Sequence, residues 1–350
     1  MNKTISAYLF PAGDESWGTS RVRVYKLNQY LQDYSINSTV INAEKKGNPF
    51  QNRLLNYIYY KTNIKMRSNF IHKNVNDMLT NNSYSKNDDN IFMFQKTIWD
   101  LETSILIELV KTNDGKVIFD LVDSYNERFF SSLIKNSNIV TTASLPMKEY
   151  LYDMYKDIKV EMIDLYIDYL NFPLPKRNHE KKDDIKIVFF AGPGNLRDIS
   201  MCLDALLKVQ EKYGLNFTYI SGKNNDPLFK KLNVTHHKWD LNNYSNDLQQ
   251  FDIAIAPQSN NLKPRSKLIE AISHNLPVIG SNVHSYRDLA NKTNTLEYIC
   301  ESQDEWYTAI VNMLDPNNRN EYLEKTQDWV WKYHGKEYLT QKWIKLFNKF

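Results

Sequence analysis

Residues 251–289 read FDIAIAPQSNNLKPRSKLIEAISHNLPVIGSNVHSYRDL. Ile253 to Ala256 is a short apolar run stopped by Pro257, the pattern of a buried strand. A polar loop, Gln258 to Leu262, follows, and Pro264 sits where a first helical turn accepts proline. The helix is expected to run to about His274, with Asn275 closing it, and Pro277 to Gly280 reads as the next strand. Strand, loop, helix and strand in this order make one unit of a parallel sheet.

The charges of this stretch point to a ligand. Lys263, Arg265 and Lys267 crowd the expected first turn. A helix start already carries partial positive charge, so cations there are unfavourable unless an anion joins them. Backbone N–H groups at the same end bind phosphate. Lys263, Lys267 and Glu270 are spaced to share one helix face. The reading is a diphosphate held by Lys263 and Lys267, with Glu270 accepting hydrogen bonds from sugar hydroxyls. The alternative is a solvated helix with a Lys267–Glu270 pair in the weaker orientation.

This segment resembles the donor-binding domain of GT-B glycosyltransferases, in particular the large retaining family 4. There a Lys-x-x-Glu at a helix start, followed by a Pro-Val strand, grips the nucleotide-sugar; here these are Lys267 to Glu270 and then Asn275-Leu276-Pro277-Val278-Ile279. Many members carry an upstream glutamate that would fall at Leu262. Lys263 and Lys267 are similar to a Lys-Ser-x-x-Lys version common in surface-polysaccharide gene clusters, with Pro264 at the Ser position. The resemblance implies an α/β chain of two Rossmann-like domains facing across a cleft. It implies a nucleoside-diphosphate-sugar donor and a glycan or lipid-linked acceptor in cell-surface polysaccharide synthesis.

Composition sets the bounds. The chain has 350 residues, 42% of them hydrophobic, which allows two domains with real cores. A net charge of +3 does not suggest bulk nucleic-acid binding. The two cysteines, Cys202 and Cys300, form neither a disulfide framework nor a zinc motif. A cytoplasmic protein is expected, since no signal-peptide pattern opens the sequence and no apolar run reaches a membrane span of about 18 residues. No Asp-x-Asp occurs, the spacing by which GT-A transferases hold a divalent metal, so neither metal nor cofactor is expected. Serine-hydrolase, Walker and HExxH motifs are absent as well.

The chain opens as strand, loop, helix and strand: Thr4 to Phe10, a loop with Gly13 and Gly18, Arg21 to Leu31, and Ile36 to Ile41. Ser20 is the expected helix cap. Ser20, Arg21 and Arg23 place a hydroxyl and two guanidiniums at a helix start, an acceptor-side or diphosphate-side group by the same anion argument. Surface snorkelling of the two arginines is the alternative. Residues 45–76 hold seven Lys or Arg, no Asp or Glu, and many aromatics, a composition that suits contact with an anionic membrane surface or an amphipathic helix packed on its own sheet. Thr80 to Asn90 reads as loop, Ile91 to Phe94 as a third strand, Trp99 to Val110 as helix and Lys116 to Leu121 as a fourth strand. Asp123 lies just past that strand's carboxyl end, where ligands of open parallel sheets gather. It is the candidate catalytic carboxylate, placed to orient or deprotonate an acceptor hydroxyl, or else a cap for a helix starting near Asn126. Asp120 reads as structural.

Residues 1–170 are expected to form the first domain, 171–184 a polar linker, 185–330 the second domain, and 331–350 a C-terminal helix that returns to the first. In the second domain, Ile185 to Phe190 is a strand followed by Ala191-Gly192-Pro193-Gly194-Asn195 and a helix from about Leu196. Gly194 lets backbone approach a phosphate, Asn195 shares that turn, and Arg197 adds a cation in the first helical turn. The family pairs such an Arg with a downstream Lys that is missing here. His236 and His237 are adjacent on an expected strand and point to opposite sides, so they are not a metal pair. Two other readings stay open at this point: a GT-B-fold nucleotide-sugar epimerase, and a non-catalytic GT-B scaffold that partners another transferase.

Overall fold

A computed structural model of the chain describes residues 5–15, 17–41, 89–96, 107, 110–111, 114–123, 127–167, 176–222 and 227–350. The basic stretch 45–76, most of the helix expected over 99–110 and residues 171–175 of the expected linker lie outside the described residues. The chain divides into two compact units, Met1–Tyr166 with Lys336–Phe350, and Ile167–Gly335.

The first unit is built on a parallel sheet of β1 (Ile5–Phe10), β2 (Asn37–Val40), β3 (Asp89–Gln95), β4 (Lys116–Asp120), β5 (Ile139–Thr142) and β6 (Val160–Met162). Its order is β2-β1-β3-β4-β5-β6. Strands such as β3 and β5 are almost wholly buried, as strands covered on both faces must be. The strand order reverses between β1 and β3, so a switch point lies at their carboxyl ends. After β1 the helix begins as α1 (Gly18–Ser20), passes through a π-helical turn, Arg21–Tyr25, and continues as α2 (Lys26–Asp33). Ser20 is therefore not the cap: it lies inside the helix, with Trp17 at the cap position. Farther along come α3 (Glu127–Asn136) and α4 (Leu145–Met154). Ser144 caps α4 by accepting from Met147 N–H, with Pro146 in its first turn.

The second unit repeats the plan with β7 (Lys186–Phe190), β8 (Asn216–Ser221), β9 (Val234–Lys238), β10 (Ile253–Ala256), β11 (Val278–Ser281) and β12 (Ile299–Cys300), in the order β12-β11-β10-β7-β8-β9. Its helices are α5 (Leu203–Tyr213), α6 (Tyr244–Leu248), α7 (Ser266–Ser273), α8 (His284–Thr293), α9 (Gln303–Met313) and α10 (Pro316–His334). Two helix starts differ from expectation. The Ala191–Asn195 turn feeds a 3-10 helix, Pro193–Met201, and the α-helix begins only at Leu203. Helix α7 begins at Ser266 rather than Pro264, because Arg265 (φ −80°, ψ 24°) stays outside helical geometry while its guanidinium is bound by Asp288 at 2.7 Å. Asn275 does close α7. Its left-handed φ of 60° lets Leu276 N–H reach Ala271 O and its own N–H reach Ile272 O, a Schellman ending.

Segment 176–182 is not a free tether within this unit. Asp252, buried at the start of β10, binds Arg177 and Lys182 at 2.9 Å each and accepts from Lys186 N–H. Burial alone would raise its carboxyl, but the Lys182 hydrogen bond, the Lys186 amide and the two cations together hold it below the usual range. His179 is buried and donates from Nε2 to Asn275 O, and Arg319 donates to Glu180 O. Burial pulls the His179 imidazole down to about 4, with Arg177 and Arg319 adding to the effect against the Asn275 hydrogen bond.

The last helix, α11 (Lys336–Phe347), packs Leu339, Trp343, Leu346 and Phe347 into the core of the first unit with Val24, Leu27 and Leu31. A buried ion pair sits beneath it. Arg23 grips Asp120 in a bidentate pair along one guanidinium edge, Nε to Oδ2 at 3.1 Å and Nη2 to Oδ1, and donates through Nη1 to the carbonyls of Ile163 and Asp164. Its guanidinium carbon lies 4.8 Å from the Trp343 ring centre, and Thr141 donates to Asp120 at 2.7 Å. Among the described residues no helix is long and apolar enough to cross a membrane.

Two outcomes test these constraints. Breaking a buried pair costs about 3–5 kcal/mol because one charge is left uncompensated. Arg23→Met should therefore lower the stability of the first unit by that order in urea titration, and the double variant Arg23→Met/Asp120→Leu should recover most of it. Separately, an imidazole held neutral by the fold binds protons only when unfolded between pH 6.5 and about 4. The thermal midpoint of the second unit should fall as pH drops through that window, and less steeply in His179→Gln.

Candidate functional site

At the carboxyl edge of the second sheet the loops after β7, β8, β10 and β11 converge. A Cβ added at Gly222, after β8, would lie 3.9 Å from Pro193, after β7. Lys263 Nζ donates to Asn195 Oδ1 at 2.6 Å, and Ser259 Oγ to Asp198 Oδ1 at 2.7 Å, tying the β10 loop to the 3-10 helix. The β10 loop is fixed on its other side. Gln258 N–H donates to Ser281 Oγ at 2.7 Å, Tyr286 OH to Gln258 Oε1 at 3.3 Å, and Ser285 Oγ to Lys263 O at 2.8 Å. Helix α8 can lie this close because residue 280 is glycine: a Cβ there would meet the Tyr286 ring at 2.7 Å.

Lys267 is the electrostatic centre of this edge. Its ammonium donates to Pro257 O at 3.1 Å and stands 5.3 Å from the Phe189 ring centre. Burial pulls it down to about 8, and Lys263 pushes in the same direction, while Asp198 and Glu270 act against both. Lys263 precedes α7, so it does not share a helix face with Lys267; its side chain joins the group through Asn195 instead. Glu270 is half-buried on α7, and its carbonyl accepts from His274 and Ser273. Arg197 is exposed in the 3-10 helix. Gly194 is exposed too, and a Cβ there would meet nothing within 4 Å, so the fold itself does not require glycine at this place.

The third cation expected at the helix start has another duty. Arg265 is buried, paired with Asp288 and 5.5 Å from the Trp329 ring centre. Asp198, Ser259 and Gln258 were not anticipated. Their one sequence signal is position, just past strands β7 and β10.

In the first unit the acceptor-side residues separate. Arg23, expected to meet an anion, faces the interior and is compensated by Asp120. Ser20 is buried and organises the loop after β1: its oxygen accepts from Gly13 N–H at 3.0 Å and its hydroxyl donates to Gln95 Oε1 at 3.0 Å. Arg21 is half-buried and donates to Glu15 O at 2.6 Å. Asp123 is half-buried and paired with Lys96, which follows β3 in a left-handed conformation with φ 42°. These two groups sit past the carboxyl ends of neighbouring strands β4 and β3. Among the described residues no group of three His, Cys, Asp or Glu side chains is placed to hold a metal ion.

An ammonium lowered to about 8 gives a direct readout. Inorganic pyrophosphate should bind with steady affinity up to about pH 8 and weaken above it, as Lys267 loses its proton. Calorimetry on Lys267→Met should show weaker binding without that pH dependence.

No protein-family model matches the chain, and no curated protein matches it in sequence. Solved structures match in fold. A glycosyltransferase from Rickettsia africae ESF-5 aligns with a TM-score of 0.68 at 13% identity, covering 100% of this chain and 99% of that one. HepE of Anabaena, in complex with UDP and glucose, gives 0.66 at 8% identity, with 99% and 100% covered. A trehalose-6-phosphate protein of E. coli bound with UDP-2-fluoro glucose gives 0.66 at 10%, with 99% of each covered. Two six-stranded parallel sheets, each flanked by helices and matched along their length by these neighbours, give the chain the GT-B fold.

Proposed function

We propose that the chain is a glycosyltransferase. It moves a sugar from a nucleoside-diphosphate-sugar to a hydroxyl of a glycan or lipid-linked acceptor. The observation that carries this reading is the half-buried Lys267 ammonium, which donates its hydrogen bond to the neutral carbonyl of Pro257, beside Lys263 and an open glycine turn. In the transfer, the acceptor oxygen bonds to the anomeric carbon and gives up its proton. The bond from that carbon to the phosphate oxygen breaks, and the diphosphate leaves with the electron pair. Negative charge grows on the leaving group, and cations fixed beforehand stabilise it more than they stabilise the bound donor. Lys263, Lys267 and Arg197, with the amides near Gly194 and Asn195, supply that charge. Lys267 gains most, because an arriving phosphate offsets the burial that disfavours its ammonium.

Glu270 orients the donor sugar through its hydroxyls. Asp123, paired with Lys96, is the base or orienting group for the acceptor hydroxyl. Lysines in the role of counter-charge support a reaction that needs no divalent metal. The basic, aromatic composition of 45–76 supports a peripheral place on an anionic cytoplasmic membrane face, where lipid-linked precursors of surface polysaccharide are built. UDP is the first nucleotide to try, since two of the fold neighbours hold UDP or a UDP-sugar.

A thermal-shift screen against UDP-, GDP-, dTDP- and CMP-linked sugars, with and without EDTA, tests the reading. At least one nucleoside diphosphate sugar should stabilise the chain, by about 2.7 kcal/mol at one hundred times its Kd. The shift should survive EDTA and disappear in Lys267→Ala. If no nucleotide shifts the midpoint, the enzyme reading is wrong. NMR of a donor incubated alone separates an epimerase, which converts the sugar without an acceptor.

A further inference from the structure

Among the described residues, Trp17 is the tryptophan left exposed, at 42%; Trp306 and Trp343 are buried, and Trp239, Trp329 and Trp331 are partly buried against the second core. Its ring is held in place. A Cβ added at Gly13 would come within 2.6 Å of the indole Cγ and Cδ2, so part of the ring lies against the glycine backbone. Trp17 N–H donates to Asp14 O, and Trp17 O accepts from Arg21 N–H.

The loop beneath it is pinned from the sheet. Gln95, fully buried at the end of β3, accepts from Ala12 N–H at 3.0 Å and donates to Thr19 O at 2.9 Å. Ser20 holds Gly13 N–H in the same network. A rigid aromatic on such a loop forgoes burial that a tryptophan side chain ordinarily gains. Position adds a second observation. The loop rises from the β1/β3 switch point, where open parallel sheets take their ligands. The next residue after Gln95 is Lys96, paired with Asp123, so a donor and an acceptor of hydrogen bonds stand at the same carboxyl edge.

A pyranose has an apolar C–H face and an equator of hydroxyls. A fixed indole on the loop after β1, with an ammonium–carboxylate pair past the neighbouring strands β3 and β4, matches both parts in chemistry. We propose that Trp17 is the platform on which a pyranose ring of the acceptor stacks, with Lys96 and Asp123 meeting its hydroxyls. The proposal rests on the glycosyl-transfer reading and names the chemistry of its acceptor.

The test is saturation-transfer NMR on the full chain with methyl β-D-glucopyranoside, methyl β-D-galactopyranoside and methyl N-acetyl-β-D-glucosaminide. At least one should receive saturation, strongest on its ring C–H protons. Binding should weaken about two- to tenfold in Trp17→Ala, the worth of one stacked ring, and much less in Trp17→Phe. Gly13→Ala, which drives a methyl group into the indole, should weaken it without removing the ring. These two variants decide the matter if Trp17→Ala proves unstable by its thermal midpoint. Equal saturation in wild type and all variants overturns the platform, as does no saturation of any glycoside. So does a Trp17-dependent blue shift of emission on phosphatidylglycerol vesicles without any glycoside effect. UDP thermal shifts are run in parallel: if they persist in wild type while the glycosides fail, only the platform falls, and if they vanish too, the transferase reading falls with it.

Discussion

A cation removed from water must have its charge offset, and the partner each one finds separates architecture from chemistry in this protein. Arg23 finds Asp120, and Arg265 finds Asp288. Both are buried, both also lie against a tryptophan ring, and both hold elements together. Lys263 and Lys267 are bound differently. The groups that accept their hydrogen bonds are an amide oxygen and a carbonyl, neither of them ionised. Asp198 and Glu270 act on Lys267 electrostatically, and burial still prevails. An anion has most to offer where compensation is least complete.

The positions of the strands were legible because parallel strands buried on both faces are apolar runs cut by proline, glycine and polar loops. The apolar run Ile253–Ala256 coincides with β10 at both ends, and most other apolar runs match their strands within a residue or two. Asn275 was readable as a terminator for a local reason: its left-handed conformation serves hydrogen bonds only three and five residues back. The start of α7 was not, because what holds Arg265 out of the helix is Asp288, on another helix. Arg23 illustrates the same limit more sharply. Its carboxylate partner is 97 residues away, so the local pattern offered only a cation at a helix start. Ser20 looked like a cap by residue type, yet it answers to Gln95, 75 residues on.

Within the candidate site, the lysines were visible because charge at a helix start is a local anomaly. Asp198, Ser259 and Gln258 were not, since an isolated polar residue after a strand is what any loop contains. Sheet topology gives them meaning by bringing the loops after β7 and β10 side by side. Segment 176–182 shows the converse. It reads as a polar linker, yet Arg177 and Lys182 reach Asp252, His179 reaches Asn275 O and the Glu180 carbonyl accepts from Arg319, while its other side chains face water. Composition alone does not distinguish a polar segment that faces water from one that completes a buried network.

The place of α11 has a consequence for how the chain is made. Residues 336–350 leave the ribosome after the whole of the second unit, yet Trp343 covers Arg23 in the first. The sheet that is synthesised first thus waits, with its ionic core uncovered, until translation has passed through some 169 intervening residues (335 − 166). The second unit, continuous in sequence, has everything it needs before that wait is over.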